Sequence, residues 1–326
     1  MSCDVLCLRP EADFIRAGAT LPPELSVLYR AADDSDVPDL MKAARALVIP
    51  AVGGKIPPPW FEGTHLQLVQ VTGAGLDRLD QTELKRLGIP VANVPAGSNS
   101  AVAEYAVASA VILLRRLAWA DQEIRRGDYK SFRARMVSDN LMGLEGIWVG
   151  IVGLGVIGLA VAQAFHKLGC RICYHDPAPR DASAAASISA KSLALDDLLK
   201  TADVVSLHVP LLPVTRGLIG EGQLAGMKPG AVLIHASRGA VVDELALSQS
   251  LSSGHLGGAA VDVYSDEPPA AENPLLQLKG EAGARLLLTP HIAGVTRQSA
   301  AFLCQSAWSN VERVLIHGQP PLNRAY

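Results

Sequence analysis

Short apolar runs alternate with helically spaced segments along the whole chain, a pattern that predicts parallel sheets covered by helices. In the first part, strands are predicted at 5–8, 27–29, 46–49, 66–71 and 89–93, with helices at 37–44 and 81–87. A Gly/Pro-rich loop at 50–59 carries one basic residue, Lys55. Residues 95–100 read as a hinge leading into a helix over 101–117, with Ser100 as its cap and Glu104 in its first turn. That helix is apolar almost all round, so burial is expected, inside its domain or across a subunit interface. Further strands follow at 149–152, 171–175, 204–209, 232–235, 258–261 and 286–289, and a long helix at 298–317 stops before Pro320-Pro321.

The stretch at 149–176 carries the first chemistry. An apolar strand runs into Gly153-Leu154-Gly155-Val156-Ile157-Gly158, then a helix, then a strand ending in Asp176. This order is that of a dinucleotide-binding unit. Gly153 allows the tight turn, Gly155 lets backbone approach a pyrophosphate, and Gly158 lets helix and sheet pack closely. The helix N-terminus offers N–H groups to the anion. Asp176 can accept from a ribose 2′-OH and repels a 2′-phosphate, which favours NAD over NADP. Pro177 follows where an arginine would hold that phosphate, and Arg180 is the nearest basic residue.

Composition narrows the partners. The 326 residues carry a formal charge of −3 and no basic block, so neither nucleic acid nor an anionic membrane is expected as a partner. Residues 1–7 show no secretory signal and the longest apolar stretch, 106–114, is too short to span a bilayer, so a cytoplasmic location is expected. Five scattered cysteines do not form a disulfide framework. Cys170-x-x-Cys173 lacks a second ligand pair, so no metal is expected and buried packing is the role assigned to both. The arginines at 115, 116, 125, 126, 133 and 135 read as a largely solvated face.

Polar residues gather where parallel strands end. Arg238, Asp262, Glu267 and His291 all fall at or just past predicted carboxyl ends, the edge at which ligands bind in open α/β sheets. Gly73-Ala74-Gly75 sits likewise, and its N–H groups can hold a carboxylate without a charged side chain.

With these residues in view, the chain resembles the D-isomer-specific 2-hydroxyacid dehydrogenases, which include phosphoglycerate, glyoxylate/hydroxypyruvate and D-lactate dehydrogenases. The resemblance rests on Thr72-Gly73-Ala74-Gly75-Leu76-Asp77, Val102-Ala103-Glu104, the 153–158 turn with Asp176, His208-Val209-Pro210, Ser237-Arg238-Gly239, Asp262 to Glu267-Pro268, and Pro290-His291-Ile292-Ala293-Gly294. It implies an α/β architecture of two Rossmann-like, doubly wound parallel-sheet domains. The flavodoxin-like substrate domain is split, 1–97 and 292–326, around an NAD-binding domain at 98–291. It is to the shorter members, without the regulatory domain of the longer phosphoglycerate enzymes.

The resemblance also implies the roles. Arg238, Glu267 and His291 are the catalytic residues. The cofactor is expected against Val102, Gly153, Gly155, Val156, Ile157, Gly158, Asp176, His208, Val209, Pro210, Thr215, Ala236, Ser237, Arg238, Asp262, His291 and Gly294, with Asp262 facing the nicotinamide. A small 2-keto or 2-hydroxy acid is expected against Val52, Gly53, Gly73, Ala74, Gly75, Arg238 and His291. His291 supplies the proton, Glu267 favours and orients its imidazolium, and Arg238 binds the carboxylate and polarises the carbonyl. Glu267, where similar formate dehydrogenases carry Gln, favours hydroxy-acid chemistry. The 50–55 loop lacks the Arg-Ser pair of many relatives, although Lys55 can serve a second anionic group. A homodimer is expected. Two other readings remain: oxidation of an oxyanion such as phosphite, and a non-catalytic NAD-sensing protein like the corepressors that share this fold.

Overall fold

The computed structural model describes residues 3–178 and 182–326. They divide into two units, Met1–Ser98 with Val295–Tyr326, and Asn99–Gly294.

The first unit is built on five parallel strands: β1 (Val5–Cys7), β2 (Val27–Tyr29), β3 (Ala46–Pro50), β4 (Leu68–Thr72) and β5 (Val91–Ala92). Their order is β2-β1-β3-β4-β5. The central strands are buried along nearly their whole length, which is why they read as continuous apolar runs. Register pairs Pro50 with Thr72, so β3 and β4 end level and their following loops emerge side by side. The helix Arg297–Leu315 returns to pack on this sheet. Its Trp308 is fully buried, with its ring centroid 4.7 Å from that of Phe14. Gln70, a polar residue inside β4, is answered from the same helix: Asn310 Nδ2 donates to Gln70 Oε1 at 2.8 Å.

Several boundaries differ from expectation. The strand predicted at 66–71 begins at Leu68, and the one at 89–93 contracts to Val91–Ala92. The helix Glu11–Ala17 was not legible as an apolar repeat, since it buries only Phe14; it ends on Gly18 in the left-handed region.

The second unit holds β6 (Trp148–Val152), β7 (Arg171–His175), β8 (Lys191–Ser192), β9 (Val204–Leu207), β10 (Val232–His235), β11 (Gly258–Val261) and β12 (Leu286–Leu288). All pair in parallel in the order β12-β11-β10-β9-β6-β7-β8. The order reverses at β6, a topological switch point, and the glycine turn follows that strand.

The helix predicted over 101–117 is corrected by the structure. It starts at Asn99, which puts Ser100 inside the first turn, and stops at Leu114. Arg116 takes a left-handed φ of 52° and a separate helix, Leu117–Arg125, begins. The expected burial holds on one side: Ala103, Ala106 and Ala110 share a core cluster with Val161, Ala162 and Phe165 of the helix Val156–Lys167. Small residues let the two helix backbones come close. The arginines after it are mostly ion-paired: Arg116 with Asp139, Arg125 with Asp121, Arg126 with Glu123 and Arg135 with Glu281. Cys170 and Cys173 are buried, and burial pushes both thiols up to about 11. Among the described residues no helix is long and apolar enough to cross a membrane.

Candidate active site

The glycine turn shows why each glycine is needed. Gly153 has φ +91°, and a Cβ there would lie 2.7 Å from the His208 carbonyl oxygen. At Gly158 a Cβ would lie 2.0 Å from the Gly153 carbonyl oxygen. Gly155 is different, for a Cβ there would meet nothing within 4 Å. Protein packing therefore does not demand glycine at 155, and the space beside its backbone is open. Gly155 is also the N-cap of the helix Val156–Lys167, whose first turn points free N–H groups at the same place. Asp176, at the end of β7, accepts from Leu154 N–H at 2.8 Å and from Ala178 N–H at 3.0 Å. It braces the turn it was expected to serve. Arg180 lies outside the described residues.

His208, Val209, Pro210 and Thr215 form the loop after β9, where Thr215 Oγ1 donates to the Pro210 carbonyl at 2.6 Å. Two histidines at these strand ends are held neutral. Burial, aided by His235, pushes His208 down to about 3, and burial pushes His235 down to about 4. The Val102 side chain is buried in the core cluster with Leu154 and Ala293.

Three loops bring the expected catalytic residues to the carboxyl edge of β10, β11 and β12. Arg238, with Ala236 and Ser237, follows β10, and its Nη1 donates to the Ser237 carbonyl at 2.7 Å. Gly239 abuts the loop after β11 so closely that a Cβ would sit 1.9 Å from the Tyr264 carbonyl. Glu267 Oε1 accepts from Tyr264 N–H at 3.1 Å, and Oε2 lies 2.8 Å from His291 Nδ1. Both side chains of that pair remain about a quarter exposed. His291 has φ +56°, rare for a residue with a side chain and costing of order 1–3 kcal/mol.

Asp262 is held most firmly. The resemblance implies that it faces the nicotinamide side; its side chain is 1% exposed and turned onto the loop that carries His291. Its Oδ1 accepts from Thr289 Oγ1 (2.6 Å) and Ile292 N–H (2.8 Å), its Oδ2 from Ala293 N–H (2.8 Å), and its carbonyl from His291 N–H (2.8 Å). A short residue before a functional loop was legible; its direction was not.

In the first unit, Val52, Gly53, Gly73, Ala74 and Gly75 lie in the two adjacent loops after β3 and β4. Gly73 is compulsory, since its Cβ would lie 2.6 Å from that of Ala51. Arg78, which sequence reasoning passed over, latches this region. It is 5% exposed, its Nε donates to Gly54 O at 2.7 Å and its Nη1 to Pro50 O at 3.0 Å. Gly53, at φ +128°, leaves room for that guanidinium.

Residues 107–293 match the family described as D-isomer specific 2-hydroxyacid dehydrogenase, NAD binding domain. An (S)-sulfolactate dehydrogenase of Chromohalobacter salexigens is 39% identical over 254 residues, 77% of this chain and 78% of the relative. A D-3-phosphoglycerate dehydrogenase of Archaeoglobus fulgidus is 35% identical over 237 residues, 72% of this chain; the matched stretch spans only 42% of that longer relative. The crystal structure of a D-lactate dehydrogenase from Aquifex aeolicus, complexed with NAD and lactic acid, superposes with a TM-score of 0.84 at 25% identity, covering 98% of both chains.

Proposed function

The chain belongs to the D-isomer specific 2-hydroxyacid dehydrogenase family, and from that premise we propose that it is an NAD(H)-dependent oxidoreductase interconverting a small 2-keto acid and its D-2-hydroxy acid. The observation that carries this reading is the 2.8 Å contact between His291 Nδ1 and Glu267 Oε2, set at the carboxyl edge of an NAD binding domain. A carboxylate can only accept, so Glu267 fixes the proton on Nδ1 and leaves Nε2 to work. The imidazolium then gives its Nε2 proton to the carbonyl oxygen and becomes neutral with the Nδ1 proton retained. In the reverse direction, neutral Nε2 takes the hydroxyl proton. Arg238 binds the carboxylate and polarises the carbonyl.

The residues at the turn fit NAD: the open place at Gly155, the helix N-terminus and Asp176 would hold its pyrophosphate and ribose. When bound, NAD(H) supplies or accepts the hydride at C2. The loops with Val52, Gly53 and Gly73–Gly75 receive the acid, and Lys55, exposed on the same loop, offers charge to a second anionic group.

The test is oxidation of NADH with glyoxylate, pyruvate, hydroxypyruvate and the keto forms of sulfolactate and phosphoglycerate. Turnover with at least one acid is expected, and a His291→Ala enzyme should lose about a thousandfold in kcat while still binding NADH. No turnover across the panel, or an active His291→Ala enzyme, overturns the reading. The same proposal includes a homodimer, supported by exposed Leu117, Ile124 and Val137 on neighbouring helices; a monomer in sedimentation at micromolar concentration refutes it.

A further inference from the structure

His291 sits in a left-handed conformation that its loop must hold against a more relaxed alternative. What holds it is a line of hydrogen bonds reaching back into the helix Asn99–Leu114. Tyr105 Oη lies 2.7 Å from Thr289 Oγ1, and Thr289 Oγ1 lies 2.6 Å from Asp262 Oδ1. The direction of each bond follows from proton counting. A threonine hydroxyl has one hydrogen, and Asp262 as a carboxylate can only accept, so Thr289 donates to Asp262. Tyr105 must then donate to Thr289. Burial raises the Tyr105 phenol, which keeps that donor protonated. Tyr264 adds a bond from the other side, its hydroxyl donating to the Thr289 carbonyl at 3.1 Å.

Asp262 is the hinge pin of this arrangement. No Lys or Arg pairs with it among the described residues, and its buried charge rests on the Thr289 hydroxyl and the N–H groups of Ile292 and Ala293. Those two N–H groups belong to the residues directly after His291. Asp262 therefore grips the loop on both sides of His291, its main-chain carbonyl taking the His291 N–H and its carboxylate the two N–H groups that follow.

We propose that Tyr105 and Thr289 are positioning residues for His291: through Asp262 they hold the 289–293 loop so that Nδ1 meets Glu267 and Nε2 faces the reacting oxygen. The inference rests on the reading of His291 as the proton donor. Neither residue is among those assigned to the substrate, so the loss on altering them falls on kcat, which a misplacement of about 1 Å can lower about a hundredfold.

The experiment compares Thr289→Val, Thr289→Ser and Tyr105→Phe in the whole protein. Thr289→Val is isosteric but removes the donor, and kcat should fall about tenfold with NADH affinity within about twofold of the parent. Thr289→Ser restores the hydroxyl and should restore kcat to within about twofold, and Tyr105→Phe should lose about threefold. A purely structural role predicts something else: lowered melting temperature, with Ser and Val impaired alike and kcat per folded molecule unchanged. That result, or Thr289→Val with full kcat beside an inactive His291→Ala enzyme, overturns the inference. If Thr289→Val does not fold, Tyr105→Phe decides by the same kcat-against-affinity split. If the parent turns over no acid, the functional reading has failed, and NMR of the His291 imidazole still decides this one. Its signals should shift in Thr289→Val and return in Thr289→Ser; unmoved signals overturn it.

Discussion

Two glycines three residues apart, 155 and 158, allow the nucleotide assignment to be tested separately from the fold. Consider Gly158→Ala. The added Cβ would lie 2.0 Å from the Gly153 carbonyl oxygen, over 1 Å inside ordinary contact, and that oxygen is backbone. Relief requires the helix Val156–Lys167 to move off β6. Overpacking of this kind costs about 3 kcal/mol, less about 1 kcal/mol that alanine gains in helix propensity. A net loss of about 2 kcal/mol in a unit of this size corresponds to a melting temperature lowered by about 4–8 °C. Gly155→Ala is the reverse case. Its backbone is extended, at φ −72° and ψ −166°, and the Cβ meets no protein atom within 4 Å. Stability should be unchanged or raised by about 0.5 kcal/mol through a stiffer unfolded chain. The methyl group would instead stand where a pyrophosphate approaches, so the NADH dissociation constant should rise at least about tenfold, or about 1.4 kcal/mol. The assays are thermal denaturation without nucleotide and titration of NADH fluorescence. Wild-type NADH affinity in Gly155→Ala refutes the backbone-approach argument. An unchanged melting temperature in Gly158→Ala refutes the steric one.

Acid should weaken the fold through His235, which is 1% exposed and pushed by burial down to about 4. The unfolded chain takes up this proton near pH 6.5 and the folded chain only near 4, so stability is intact above 6.5 and falls as pH drops through that window. The total is about 3 kcal/mol, with about 2 kcal/mol lost by pH 5; melting temperatures of the parent and His235→Gln across pH 5–7 test it, and equal slopes would refute it. Arg78→Met should free the 50–55 loop, raising KM for the keto acid about tenfold with NADH affinity unchanged. Stability should move little, because a buried guanidinium with no carboxylate partner among the described residues is replaced by an apolar chain of similar size. An unaltered KM would remove the latch.

Legibility in the sequence followed the kind of interaction involved. Strands β6 and β9 to β11 declared themselves because burial on both faces forces nearly continuous apolar runs. The glycine turn was legible because its constraints are steric and local. Edge strand Lys191–Ser192 is exposed along its length and left no apolar trace. The end of the helix at Leu114 was illegible for another reason: no glycine or proline marks it, and the break lies in the left-handed Arg116. At the site, Arg238, Glu267 and His291 could be placed by strand-end position and resemblance. Asp262 could be placed in the chain but not oriented, since its direction depends on N–H groups thirty residues away in sequence. Tyr105, Thr289 and Arg78 were missed because each acts through backbone or through another polar group, and no spacing rule encodes that.

The common element in the assembled site is Tyr264, a residue with no part in the proposed chemistry. Its carbonyl lies where a side chain on Gly239 would stand, which fixes the turn carrying Arg238. Its N–H donates to Glu267 and its hydroxyl to the Thr289 carbonyl, two residues before His291. The three loops that carry the proposed catalytic residues are thus referred to one residue at the end of β11, each by a different group. Burial raises that phenol to about 12, so the hydroxyl remains a donor across the whole working range of the protein. Loops that hang independently from separate strands would place an acid, its orienting carboxylate and a guanidinium with independent errors. Tied to one side chain and its peptide, they move together, and the geometry needed for proton transfer survives the motions of any single loop.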